Sequence, residues 1–200
     1  MQLLTAIGCQ LKKLEAKFLN IKIINIMIKK TILFALILMI TGTAFSQTKK
    51  RQLPAVDIKL PSGETFNTSN IQNDGKPIIL SFWAQWCSPC ISELDAFNEV
   101  YSDWQGETDV KLYAISIDDV RKSSNALPFA YGRDWDFEIL LDPNCDFKRA
   151  LNFQNVPQTF ILDGKGNIVW QHTSFAEGGE YEIIKLLRKV ANGEDISDQH

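Results

Sequence analysis

Residues 78–90 read IILSFWAQWCSPC, and this stretch decides the fold. Its first seven residues form a nearly unbroken apolar run, the pattern of a central strand buried on both faces. From Ser88 to Trp104 the apolar residues Ile91, Leu94, Phe97, Tyr101 and Trp104 recur at steps of three and four, which predicts a helix with one apolar face. Cys87-Ser88-Pro89-Cys90 therefore sits where a strand gives way to a helix. The first turn of a helix has unpaired backbone N–H groups and a partial positive charge. A thiolate placed there is stabilised, and its pKa falls below the free value of about 8.5. Cys87, at the helix entrance, is expected to be the nucleophile. Cys90, one turn on and more shielded, is expected to resolve the mixed disulfide. Pro89 suits the first turn, where its missing N–H is not needed. Trp86 offers a flat apolar surface beside the sulfur.

Two plainer readings of the pair are weaker. A purely structural disulfide across three residues closes a very small loop and stabilises little by the loop-entropy argument. A zinc site needs two further ligands. Only Cys145, His172 and His200 are available beyond carboxylates, and there is no second CxxC, so no metal site is assigned. Of the chain's four cysteines, Cys9 lies near the start, and Cys145 is expected to be a buried bystander whose thiolate Asp146 disfavours.

Around this core the chain reads as alternating strands and helices. Residues 56–60 and 64–66 flank Pro61-Ser62-Gly63 as a hairpin, and Asp74-Gly75-Lys76-Pro77 is a turn leading into the central strand. Residues 111–117 form a second strand. Residues 118–132 have helical character interrupted by Pro128. Residues 138–141 are a short strand and 146–151 a short helix. Residues 159–162 and 168–171 flank a turn at 163–167. A closing helix over 181–191 turns Ile183, Ile184, Leu186, Leu187 and Val190 inward. The sum is a mixed-sheet α/β sandwich.

Charge divides the chain in two. Residues 1–46 carry six lysines against one acid, Glu15, for a net of +5; residues 47–200 carry 15 basic and 23 acidic side chains, for a net of −8. The acidic part is unsuited to nucleic acid, whose phosphates need a cationic face. In the basic part, residues 32–40 read ILFALILMI, preceded by Lys29-Lys30 and followed by Ala44-x-Ser46. A charged start, a short apolar core and small residues make a secretory signal with cleavage after Ser46. The run is shorter than the roughly 20 residues of a membrane span. A compact signal starts at Met27, which is the expected true start. The domains are thus 1–46 as extension and signal, 47–53 as a flexible lead-in, 54–192 as the working domain and 193–200 as a solvated acidic tail. The rival reading of the signal is an uncleaved anchor. Both place the acidic domain outside the cytoplasm, in the periplasm or membrane-associated on the outer side.

With Phe82-Trp83-Ala84-Gln85-Trp86-Cys87-Ser88-Pro89-Cys90 in view, the chain resembles the thioredoxin superfamily. Within it, the chain is most similar to the TlpA/ResA-like exported thiol-disulfide oxidoreductases. The signal-like segment, the early hairpin, Glu93 just after the CxxC and Val156-Pro157 before a strand all match. The 66 residues between Cys90 and Pro157 leave room for an extra βα element. The resemblance implies a thioredoxin-like sandwich, a mixed central sheet flanked by helices, with an N-terminal hairpin and an inserted βα element. It implies that Val156-Pro157 is a cis-proline loop facing the cysteines, with Val156 pairing its backbone to an extended substrate segment. It also implies that Glu93 tunes the thiols or accepts protons. Plain thioredoxins bury an Asp in the central strand where this chain has Ser81. A helix-kinking proline common after the glutamate is replaced here by Leu94-Asp95-Ala96.

The activity so implied is reduction of disulfides in exported client proteins, apocytochromes among them. The expectation includes a membrane electron donor that recharges the protein, a monomeric state, and no cofactor beyond the Cys87–Cys90 disulfide. The alternatives are a disulfide-forming oxidase and a non-catalytic metal-handling module. A peroxiredoxin is disfavoured, because Ala84 stands where a Thr would precede the attacking Cys by three positions.

Overall fold

The computed structural model describes residues 22, 25, 27–31 and 50–196. The chain divides into two units, Met1–Thr48 and Lys49–His200. In the first, residues 27–31 are helical, and Thr31 Oγ1 donates to the Met27 carbonyl at 3.0 Å. The apolar run at 32–40, the cleavage point after Ser46 and residues 197–200 lie outside the described residues. Among the described residues no helix is long and apolar enough to cross a membrane.

The described part of the second unit is built on one eight-stranded sheet. Its strands are β1 (Arg51–Gln52), β2 (Asp57–Lys59), β3 (Thr65–Asn67), β4 (Ile78–Trp83), β5 (Lys111–Ser116), β6 (Glu138–Leu141), β7 (Gln158–Leu162) and β8 (Asn167–Thr173). The helices are α1 (Ser88–Thr108), α2 (Ala126–Tyr131), α3 (Asp146–Ala150) and α4 (Gly179–Ala191). Across the sheet the order is β1-β8-β7-β4-β5-β6-β2-β3. β4, β5 and β6 run parallel, while β7 runs antiparallel to β4 and β8 antiparallel to β7. The sheet is therefore mixed, as expected. β6 with α3 supplies the extra βα element.

Every residue of β4 is buried, which explains its unbroken apolar run. Its side chains alternate between two faces. Phe82 packs against Phe147, Phe153 and Phe160 on the side covered by α3, with ring centroids 5.3, 4.8 and 6.0 Å away. Ser81 and Trp83 point to the other side, where Trp83 meets Phe129 of α2 and Trp135. α1 buries Leu94, Phe97, Tyr101 and Trp104, while Ile91 is half-buried. α4 packs on α1 and buries all five residues expected to face inward.

Three expectations need correction. The lead-in at 47–53 is partly a strand: Arg51 and Gln52 pair with Ile168 and Asn167 of β8. Arg51 is held because its guanidinium donates to Gln171 Oε1 at 2.8 Å and to the Leu151 carbonyl, and lies over the Phe160 ring. The tail is not simply solvated, because Ile196 is fully buried in the core and Asp195 pairs with Lys50 at 3.1 Å. An apolar side chain in reach of a core is pulled into it. Pro128 does not interrupt a helix. It is the third residue of α2, inside the first turn, where no N–H is needed. The stretch before it is loop and a short 3-10 turn, Ser123–Asn125.

Candidate active site

β4 ends at Trp83 and the chain turns through Ala84, Gln85 and Trp86 into α1. The turn is closed by Cys87 N–H donating to the Ala84 carbonyl at 3.0 Å. Cys87 caps α1 with an extended backbone (φ −98°), and no acidic residue lies in the first turn of that helix. Pro89 is its second residue. The helix therefore begins with free N–H groups and an uncompensated dipole beside a sulfur.

Cys87 and Cys90 are joined in a disulfide with a Cα–Cα distance of 5.3 Å. The two sulfurs differ in access. Cys90 is completely buried, whereas Cys87 keeps 4% exposure. It sits among Trp86, Ser88 and Pro89, which are all exposed, Trp86 at 63%. Of the two, Cys87 is the one beside the exposed surface.

Val156–Pro157 is a cis peptide. Because β7 is antiparallel to β4 with Gln158 opposite Phe82, the start of β7 lies beside the end of β4. That register brings the cis-proline loop to the same end of the sheet as the cysteines. Val156 is half-buried and Pro157 buried, and the Pro157 carbonyl accepts from Ser174 N–H at 3.0 Å.

Glu93 lies one turn beyond Cys90 and is 3% exposed, so it is no solvated helix acid. Ser81 Oγ donates to its Oε2 at 2.8 Å and Thr159 Oγ1 donates to its Oε1 at 2.9 Å. Ser81 and Thr159 face each other across β4 and β7. Burial pushes the Glu93 carboxyl up to about 7, against the opposing pull of the two hydroxyls. The buried carboxylate of this fold thus comes down from the helix onto Ser81, instead of rising from the strand. The helix residues that depart from the family pattern are used differently: Asp95 accepts from Trp135 Nε1 at 2.8 Å and from Arg133.

The site has a second anchor that the sequence did not point to. Asp118, completely buried just after β5, accepts from Gln85 N–H at 3.1 Å, from Gln85 Nε2 at 3.2 Å and from Ser116 Oγ at 2.9 Å. The only sequence signal was a carboxylate directly after a strand of apolar residues. Its partner Gln85 is 33 positions away, and local pattern reading does not reach across that gap. His172 is exposed and stacked on Trp170, and it lies opposite Thr159 across β7 and β8. Cys145 is a free cysteine, half-buried.

The AhpC/TSA family profile matches residues 50–171. The chain is 30% identical to the sporulation thiol-disulfide oxidoreductase A of Bacillus subtilis over 138 residues, which is 68% of this chain and 81% of that protein. It is 29% identical over 133 residues to the thiol:disulfide interchange protein DsbE of Yersinia pestis, covering 66% of this chain and 67% of that protein. Among solved structures it is similar to an uncharacterized thioredoxin-like protein from Porphyromonas gingivalis. That match has a TM-score of 0.64 and 49% identity, over 72% of this chain and 94% of that one.

Proposed function

The chain belongs to the AhpC/TSA family with a thioredoxin-like fold, and we propose that it is an extracytoplasmic thiol-disulfide oxidoreductase that reduces disulfides in exported client proteins. One observation carries the reading: a Cys87–Cys90 disulfide at the start of α1, with Cys87 beside exposed residues and Cys90 completely buried. In the reduced protein the Cys87 thiolate attacks one sulfur of a client disulfide. The client's S–S bond breaks, a Cys87–client disulfide forms, and one client thiol leaves after taking a proton. Cys90 then loses its proton and attacks Cys87 Sγ. This closes the Cys87–Cys90 disulfide and releases the second client thiol. Two electrons and two protons pass to the client. Glu93, buried one turn from Cys90 with a carboxyl near 7, holds the proton that Cys90 gives up. The Val156-Pro157 loop lays the client segment beside the cysteines, and a membrane-bound donor of reducing equivalents recharges the pair.

Export is supported by the basic, apolar segment that ends near Ser46. The names of the relatives support thiol-disulfide exchange. Peroxide reduction, which the family name brings to mind, is disfavoured by Ala84, which offers no hydroxyl three positions before Cys87. The test is trapping with Cys90→Ser. That variant accumulates mixed disulfides with exported proteins through Cys87. If no adducts form while Cys87 alkylates like an ordinary thiol, the reading fails. Titration of the wild-type pair against glutathione buffers decides direction: a potential near that of thioredoxin supports reduction, and one near DsbA overturns it.

A further inference from the structure

Gln85 has every hydrogen-bonding group of its side chain engaged. Its Nε2 donates to Asp118 Oδ2 and to the Lys122 carbonyl at 3.1 Å, and its Oε1 accepts from Asn125 Nδ2 at 2.8 Å. Its backbone N–H lies between both oxygens of Asp118, at 3.3 and 3.1 Å. Gln85 belongs to the Ala84–Cys87 turn, so Asp118 grips the same four residues that carry the attacking sulfur. The hydrogen bonds to the Asp118 oxygens come from a backbone N–H, an amide NH2 and the Ser116 hydroxyl. That arrangement suits an ionised carboxylate, which accepts only. The grip contains no cation. The charged residues of the loop are Asp119, Arg121 and Lys122, and Arg121 is paired with Asp119 at 3.1 Å. On α1 the nearest carboxyl along the chain is Glu93.

We propose that Asp118 is a positioning residue for the Cys87–Cys90 couple: through Gln85 it fixes the Ala84–Cys87 turn, and its negative charge behind that turn keeps the couple on the reducing side. The inference rests on the reductase reading and gives it a physical cause. The reduced couple carries a thiolate at Cys87, and a buried negative charge nearby disfavours it. Raising the free energy of the reduced form makes the dithiol give up its electrons more readily. DsbA illustrates the converse, being a strong oxidant because its reduced form is stabilised. The helix dipole favours the thiolate and Asp118, bonded to Gln85 two residues before Cys87, opposes it, so the two together set the potential.

The experiment equilibrates the full chain with glutathione. The Cys87–Cys90 disulfide takes two electrons and two protons from two molecules of glutathione, which leave as one glutathione disulfide. Alkylation and gel shift report the dithiol fraction. Asp118→Asn keeps an acceptor for Gln85 and removes the charge. It shifts the equilibrium toward the dithiol by about tenfold, ~30 mV for a two-electron couple. Ser116→Ala removes a donor that spreads the carboxylate's charge and shifts the equilibrium two- to threefold the other way. An Asp118→Asn equilibrium constant within twofold of wild type overturns the inference, as does a Ser116→Ala shift in the same direction as Asp118→Asn. Where Asp118→Asn fails to fold, Ser116→Ala decides alone. Reduction of a protein disulfide by the wild type is measured in parallel. Its absence would defeat the reductase reading while leaving the Asp118 shift intact.

Discussion

Two cysteines in this protein sit at the same kind of place and behave differently. Cys87 follows β4 and caps α1; Cys145 follows β6 and caps α3. Each has a helix dipole behind it. At α1 the first turn carries no acid and the cap makes no side-chain hydrogen bond, so the field of the helix falls on the sulfur. At α3 the buried Asp142 accepts from Phe147 N–H at 3.2 Å and from Lys148 N–H at 2.9 Å, and Asp146 lies in the first turn. The carboxylates have taken the place a thiolate would occupy. Burial first, and then the Asp142 charge, push the Cys145 thiol above its ordinary value, against the pull of Lys148 and Arg149. Cys145 also has a left-handed backbone (φ 57°) and a helix of only five residues behind it. A helix start activates a thiol only when nothing else has claimed its N–H groups.

The strongest way to break this contrast is to delete each sulfur in turn. Cys87→Ser should lower reduction of an insulin disulfide by about three orders of magnitude, to the rate of the buffer thiol. Cys145→Ser should stay within twofold of wild type in the same turbidity assay. Equal losses would erase the distinction.

The next test compares the buried carboxyls. Glu93 is held by two hydroxyls, Asp142 by backbone N–H groups, and burial raises both. Glu93 rises from 4.5 to about 7, so the stability it confers is complete below pH 4.5 and is lost as pH climbs through 7. Wild type should therefore lose about 2.5 kcal/mol between pH 5 and pH 8 relative to Glu93→Gln. Urea unfolding at the two pH values measures it. Parallel pH profiles for the two proteins would mean that the Glu93 carboxyl is not held as its burial indicates.

The smallest effect should come from Asp142→Asn, which leaves an acceptor for α3 but removes the charge. Iodoacetamide should alkylate Cys145 about threefold faster at pH 8, at a cost of about 1 kcal/mol in stability from the weakened cap. An unchanged rate would leave burial alone as the cause of the raised Cys145 thiol.

What could be read from the sequence follows the range of the interactions. The strand–CxxC–helix junction is local, and the cis-proline loop was marked by a resemblance to known proteins; the structure holds both. Glu93 was legible only as a candidate, because its burial depends on Ser81 and Thr159 on two other elements. Ser81 was the available hint, a lone hydroxyl in an apolar strand. Asp118 and Gln85 went unread because their contact with each other spans 33 positions. Residues 51–52 and 195–196 looked like chain ends because polar residues surround them. Arg51 and Ile196 are nonetheless fixed by partners brought close only when the sheet forms.

The short β1 strand has a mechanical consequence. Arg51 and Gln52 pair with Ile168 and Asn167, where β8 begins, and β7 ends beside the beginning of β4. The cysteines lie past the other end of β4, six residues and about 20 Å away along the sheet. Any leash reaching the domain through residue 50 therefore takes hold of it by the stern.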